Sequence, residues 1–157
     1  MAGFRIDTGI RSNLKTGRSS KPRRPVDVRA RLEDPDHLSL LRQLPCIISG
    51  RAPAGEAAHI RYASAQFHKQ ITGIGIKPDD KWAVPLSPWF HTQSTGAQHR
   101  HGEEGWWEDH GIDPLVVASQ LYSASVAMRD VRADEGVIIQ VLSRIVTAAR
   151  KSYETAP

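Results

Sequence analysis

Between Ser64 and Lys81 the chain reads SAQFHKQITGIGIKPDDK, and Gly73, Gly75 and Pro78 deny that stretch regular structure. The interruption divides the sequence into unlike parts. Around it lie only short β-prone runs. PCIISG (45–50) and EAAHIRYA (56–63) read as the two strands of a hairpin, and WAVPL (82–86) as a further short strand. Beyond it lie longer helical patterns. DPLVVASQLYSASVAMRD (113–130) opens with an Asp cap and a Pro at the first helical position. ADEGVIIQVLSRIVTAARKSYE (133–154) carries Val137, Ile138, Val141, Leu142, Ile145, Val146 and Ala149 as one helical stripe. The predicted class is therefore α+β.

Two shorter helices complete the reading. DPDHLSLLRQL (34–44) offers Asp34 or Asp36 as a cap and Leu38, Leu40, Leu41 and Leu44 as contacts, and another helix is expected from about Trp89, just after Ser87-Pro88. Residues 1–32 mix Gly, Ser, Pro, Lys and Arg without an apolar period and read as a flexible basic arm. Residues 33–112 are then the core, and 113–157 a helical extension packed on it. With 39% hydrophobic residues in 157, one real core is within reach.

Charge is unevenly spread. Within residues 1–30 eight bases face only Asp7 and Asp27, a net +6, which leaves −2 for the rest of a chain whose total is +4. A basic arm on a near-neutral body suits contact with a polyanion, because each neutralised phosphate releases counterions. No apolar run approaches the roughly 18 residues that a bilayer span needs, so no membrane partner is expected. The N-terminal stretch has no apolar central segment of the secretory kind. A single cysteine, Cys46, cannot close an internal disulfide, which points to a reducing, cytoplasmic setting.

For any one of the seven histidines, a satisfied buried hydrogen bond is the ordinary role. Their arrangement argues for more. His59 lies in a predicted strand, His91 at the predicted start of a helix, and the interrupted loop separates them. Folding strand, loop and helix back on one another brings the two together. Such a ββα unit can hold one divalent cation on its helix while the strand histidine deprotonates water. Imidazole suits both roles, since a neutral ring nitrogen binds metal and a pKa near 6.5 makes a usable base.

The ordered run PCIISG, EAAHIR, KPDDKWAVPLSPWFHTQ, QHRH and GWWEDHGIDPL, residues 45 to 115, resembles the HNH or His-Me finger nuclease domain. More narrowly it is similar to small phage and prophage proteins of the recombination-associated HNH type. The resemblance implies a ββα-metal core flanked by C-terminal helices. It implies a metal-dependent DNA endonuclease that hydrolyses phosphodiester bonds with a histidine general base and one divalent ion, Mg²⁺, Mn²⁺ or Zn²⁺. Residue by residue, His59 matches the base, His91 the helix ligand to the metal, and His99 a later histidine that completes the metal site. Asp80, or its neighbour Asp79, matches the acidic residue that orients the base. DNA, duplex or single-stranded, is the implied partner, with a recombinase filament as the implied protein partner.

Other residues suit the same chemistry. Arg61, two positions past His59, is expected on the same strand face, where it would clamp a phosphate. Lys77, Lys69 and Arg100, with Arg23 and Arg24 of the arm, would grip backbone phosphates. Trp106 and Trp107 would pack the core or stack on bases.

The chain also departs from the pattern. Ala58 stands where many relatives place a further metal ligand, and eight residues separate His91 from His99, a longer gap than usual. At the positions of a structural zinc knuckle it has Cys46, Ser49, Ser87 and Phe90, so no structural zinc is expected. Ile47, Ile48, Trp89 and the C-terminal helices are expected to pack in its place. The departures keep a second reading open: a non-catalytic HNH-fold DNA-binding or recombination-accessory module. A third is a helical interaction protein whose histidines are structural.

Overall fold

Asp34 starts the first helix: its Oδ1 accepts the His37 N–H at 2.9 Å and Pro35 occupies the first turn, giving α1 over Pro35–Gln43. The computed structural model describes residues 30–72, 76–100 and 102–154. Arg23 and Arg24, with the rest of the arm up to residue 29, lie outside the described residues. Leu40, Leu41 and Leu44 of this first segment are buried in the core, as the helical reading requires.

A two-stranded antiparallel sheet follows. Strand β1 (Glu56–His59) pairs with β2 (Ala83–Leu86), Glu56 opposite Leu86 and His59 opposite Ala83. The predicted hairpin partner is thus replaced, because residues 45–50 form no strand. The Gly50 N–H bonds to Cys46 O and the Cys46 N–H to Arg51 O, both at 2.8 Å, which closes a turn. Cys46 and Ile47 are apolar because they are fully buried, and a turn can bury them as well as a strand can. Only the Ile47 N–H reaches the sheet, at Pro85 O, 2.9 Å away. Strand β1 is also shorter than its apolar run. Ile60 N–H still bonds to Trp82 O at 2.8 Å, after which Arg61 N–H turns away to the Glu103 carboxylate.

After β2 the chain makes a π-helical turn, Trp89–Gln93, and a 3₁₀ turn, Gln98–Arg100. Helix α2 (Glu103–Asp109) was hidden in the sequence by Gly102 and Gly105. It buries Trp106 and Trp107, which settles their packing role. Helix α3 (Pro114–Asp130) is capped by Asp113, whose Oδ1 accepts the Leu115 and Val116 N–H groups at 2.9 and 3.1 Å. Helix α4 (Glu135–Glu154) lies against α3 and buries Ile138, Leu142 and Val146, successive i, i+4 positions of its stripe.

Helix α3 also touches β2 and α1. Arg129 near its end grips both oxygens of Asp34, at 2.9 and 2.5 Å. Trp89 does not join the packing expected of it and is 61% exposed. Arg150 of α4 reaches the 46–50 turn instead, where its Nε donates to Ile48 O at 3.2 Å. Among the described residues no helix is long and apolar enough to cross a membrane.

Candidate active site

His59 ends β1, and its pairing with Ala83 sets it over the 3₁₀ turn Asp80–Trp82 that leads into β2. Its Nε2 lies 2.8 Å from Asp80 Oδ1. Asp80 is almost wholly buried. The Arg31 guanidinium also holds its Oδ1, and the Asp34 N–H donates to Oδ2 at 2.9 Å. Burial pushes the Asp80 pKa up, but the Asp34 N–H, His59 and Arg31 outweigh it and hold the carboxyl below its usual range. An ionised carboxylate only accepts, so His59 Nε2 carries the proton and Nδ1 the lone pair. Burial lowers the His59 pKa, and together with Arg31 and Lys77 it outweighs Asp80, which raises it. The ring is therefore neutral at pH 7, the form that takes up a proton. Between the two aspartates the geometry chooses Asp80, since Asp79 Oδ1 accepts the Leu32 N–H at 2.8 Å.

His91 sits on the π turn with its Nδ1 2.5 Å from Glu56 Oε2. A carboxylate on Nδ1 orients the ring and leaves Nε2 as the free donor atom. His99, on the next 3₁₀ turn, brings its own Nε2 to 2.9 Å from that of His91. Burial lowers the His99 pKa, and His91 and Arg61 lower it further. Two imidazole nitrogens bound at right angles to one ion, each about 2.1 Å from it, would lie about 3 Å apart. The pair thus fits two adjacent positions around a divalent cation, with waters or phosphate oxygens left to supply the rest. Among the described residues no group of three or more His, Cys, Asp or Glu side chains is arranged to hold a metal. Ala58 is fully buried and offers no donor.

A pocket of about 180 Å³ is lined by His59, Arg61, Gln98, His99 and Glu103. The strand reading of Arg61 is corrected in its backbone, because β1 has ended before it, yet its side chain still borders the pocket with His59. The Glu103 carboxylate accepts the Arg61 N–H at 2.9 Å and Gln98 Nε2 at 2.9 Å, and so ties the end of β1 to the turn bearing His99. Burial raises its pKa, against the lowering effect of the Arg61 N–H and of the Lys69 and Arg61 charges. A larger cleft, about 380 Å³, lies among Tyr62, Phe67, Trp107, Glu104, Glu108 and Asp113. It contains none of the site histidines, and its carboxylates disfavour an anionic ligand.

Lys77 is exposed and near enough to His59 to lower its pKa, and Arg100 is exposed beside His99. Lys69 is not available to phosphate. It is 6% exposed, and its Nζ donates to Tyr62 O at 2.5 Å, bracing the loop. Sequence reasoning passed over Arg31, Glu56, Gln98 and Glu103. Arg31 was hidden among the arm's many bases, and Glu56 had only its place three residues before His59 to mark it. Comparison of the chain with protein-family models, with curated proteins and with solved structures returned no significant match.

Proposed function

We propose that the chain is a divalent-metal-dependent DNA endonuclease in which β1, β2 and the Trp89–Gln93 turn act as a ββα-metal unit. One observation carries the reading: two imidazole Nε2 atoms converge at 2.9 Å while a neutral histidine, oriented by a buried carboxylate, shares a pocket with one of them. His59 Nδ1 draws a proton from water as the water oxygen attacks phosphorus, and the bond from phosphorus to the 3′-oxygen breaks, the 3′-oxygen taking a proton from solvent to leave as a hydroxyl. His91 and His99 would hold a divalent cation, which would supply Lewis-acid stabilisation of the charge gathering on the phosphoryl oxygens. Arg61 faces the same charge from the pocket wall. Lys77, Arg100 and the arm, with Arg23 and Arg24, provide sequence-tolerant affinity for the backbone. A phage-type recombination role follows from the resemblance carried by residues 45–115, and a cytoplasmic setting from the single cysteine, Cys46.

Nicking of supercoiled plasmid by wild type and His59→Ala, with Mg²⁺, Mn²⁺ and Zn²⁺ in turn, tests the reading. Wild type alone should cut. Cleavage that survives His59→Ala would overturn it. The two-histidine donor set favours the accessory module as second reading. Salt-sensitive DNA binding without nicking under any metal would select that one.

A further inference from the structure

Residues 31–34 run across the loop that carries Asp80. Arg31 Nε donates to Pro78 O at 2.8 Å, and the Arg31 guanidinium holds Asp80 Oδ1. The Leu32 N–H donates to Asp79 Oδ1 at 2.8 Å, the Asp80 N–H to Leu32 O at 2.9 Å, and the Asp34 N–H to Asp80 Oδ2 at 2.9 Å. Both Asp80 oxygens are thus committed. Oδ1 is shared between Arg31 and His59, and Oδ2 is taken by a backbone N–H that the Asp34–Arg129 pair holds in place. A carboxylate fixed at both oxygens cannot rotate, and the imidazole bonded to it inherits that orientation. Arg31 directs Nε and an outer nitrogen into this network, and Glu33 takes the remaining outer nitrogen at 3.0 Å.

We propose that Arg31 is a positioning residue: it acts through Asp80 to hold the His59 ring with its Nδ1 lone pair directed to chemistry, and does not serve as a contact to nucleic acid. The proposal rests on the nuclease reading of His59 but is decided by the ring itself. The charged and titratable groups bearing on that ring are Asp80, Arg31, Lys77 and His37, with Arg61, His99 and Glu103 around the pocket. Removing the guanidinium takes away a positive neighbour and leaves Asp80 undivided, and both effects favour the imidazolium form.

The test uses the full chain as wild type, Arg31→Lys and Arg31→Gln. Long-range ¹⁵N–¹H spectra of the histidine rings report the tautomer and titration of His59. Wild type should show the proton on Nε2. Arg31→Gln should show mixed tautomers and a higher titration midpoint, with Arg31→Lys between the two. In the metal that supports nicking, Arg31→Gln should lose about 10- to 100-fold in kcat with KM for DNA nearly unchanged, and the acid limb of the rate profile should move up with the ring's titration. An unchanged His59 ring in Arg31→Gln overturns the proposal, as does a loss confined to KM, which would make Arg31 a phosphate contact. Should Arg31→Gln fail to fold, Arg31→Lys keeps the charge and loses the fork, and a wild-type ring in that variant overturns the proposal equally. Absence of nicking by wild type would count against the nuclease reading alone, since the ring spectra still decide the positioning.

Discussion

His91 and His99 meet Nε2 to Nε2 at 2.9 Å, their rings inclined at 67°, although they stand on two separate helical turns. Without an ion, one nitrogen must donate to the other; with one, both lone pairs face the same point. Glu56 fixes which nitrogen of His91 is offered. His91→Ala and His99→Ala should each abolish Mn²⁺ binding at this site, and Glu56→Gln should weaken it by about 10- to 100-fold. Titration calorimetry with the metal alone checks this, and unchanged affinity in all three would remove the metal site.

Asp80→Asn should separate orientation from folding. The amide replaces one acceptor oxygen by an NH2 donor, so it cannot accept from Arg31, His59 and the Asp34 N–H together, and the His59 tautomer is released. Cleavage should fall by about 10²- to 10⁴-fold, the range of general-base catalysis. Stability should drop by about 1–3 kcal/mol as Arg31 and the Asp34 N–H lose their charged acceptor. Nicking rates and urea denaturation on one preparation measure both effects.

His37 gives the fold an acid sensitivity of its own. It is fully buried, neither ring nitrogen has a hydrogen-bond partner, and its ring stands edge-on to Tyr122. Burial lowers its pKa to about 4 from the ordinary 6.5. The unfolded chain therefore takes up the proton first. Stability is complete above pH 6.5 and declines as pH falls toward 4, by about 3 kcal/mol for this one group. His59 and His99, also lowered, act in the same direction. Urea midpoints at pH 7.5 and 5 should differ less in His37→Leu than in wild type.

Gly50→Ala should destabilise the 46–50 turn. Gly50 has φ +72°, and a Cβ there would run into the Arg150 guanidinium. Left-handed backbone costs a side chain about 1–2 kcal/mol, and displacing Arg150 from Ile48 O adds to that. A lowered thermal midpoint with cleavage retained is the expected result, because the turn lies outside the pocket that His59 and His99 line.

Much of the helical architecture was legible in the sequence because its signals are local. Asp34 and Asp113 cap the helices they precede, Pro35 and Pro114 sit in first turns, and the 138, 142, 146 spacing is buried as the stripe requires. The strands were harder. Cys46–Ile47 and Ala83–Leu86 are equally apolar, and which of them pairs with β1 depends on contacts across the loop, not on either run's composition. Helix α2, seven residues with an internal glycine, owes its existence to Trp106 and Trp107 finding the core.

The site divides in the same way. Residue order is enough to set the chemical types: histidines on either side of an interrupted loop, an aspartate pair before β2, and bases gathered toward one end. Contacts between distant segments show the rest: Asp80 and not Asp79 accepts the His59 Nε2–H, Glu56 bonds to His91, and Arg31 holds the same Asp80 oxygen as His59. Those choices depend on ångström-scale distances between segments more than twenty residues apart, and nothing within a local window of sequence carries such distances.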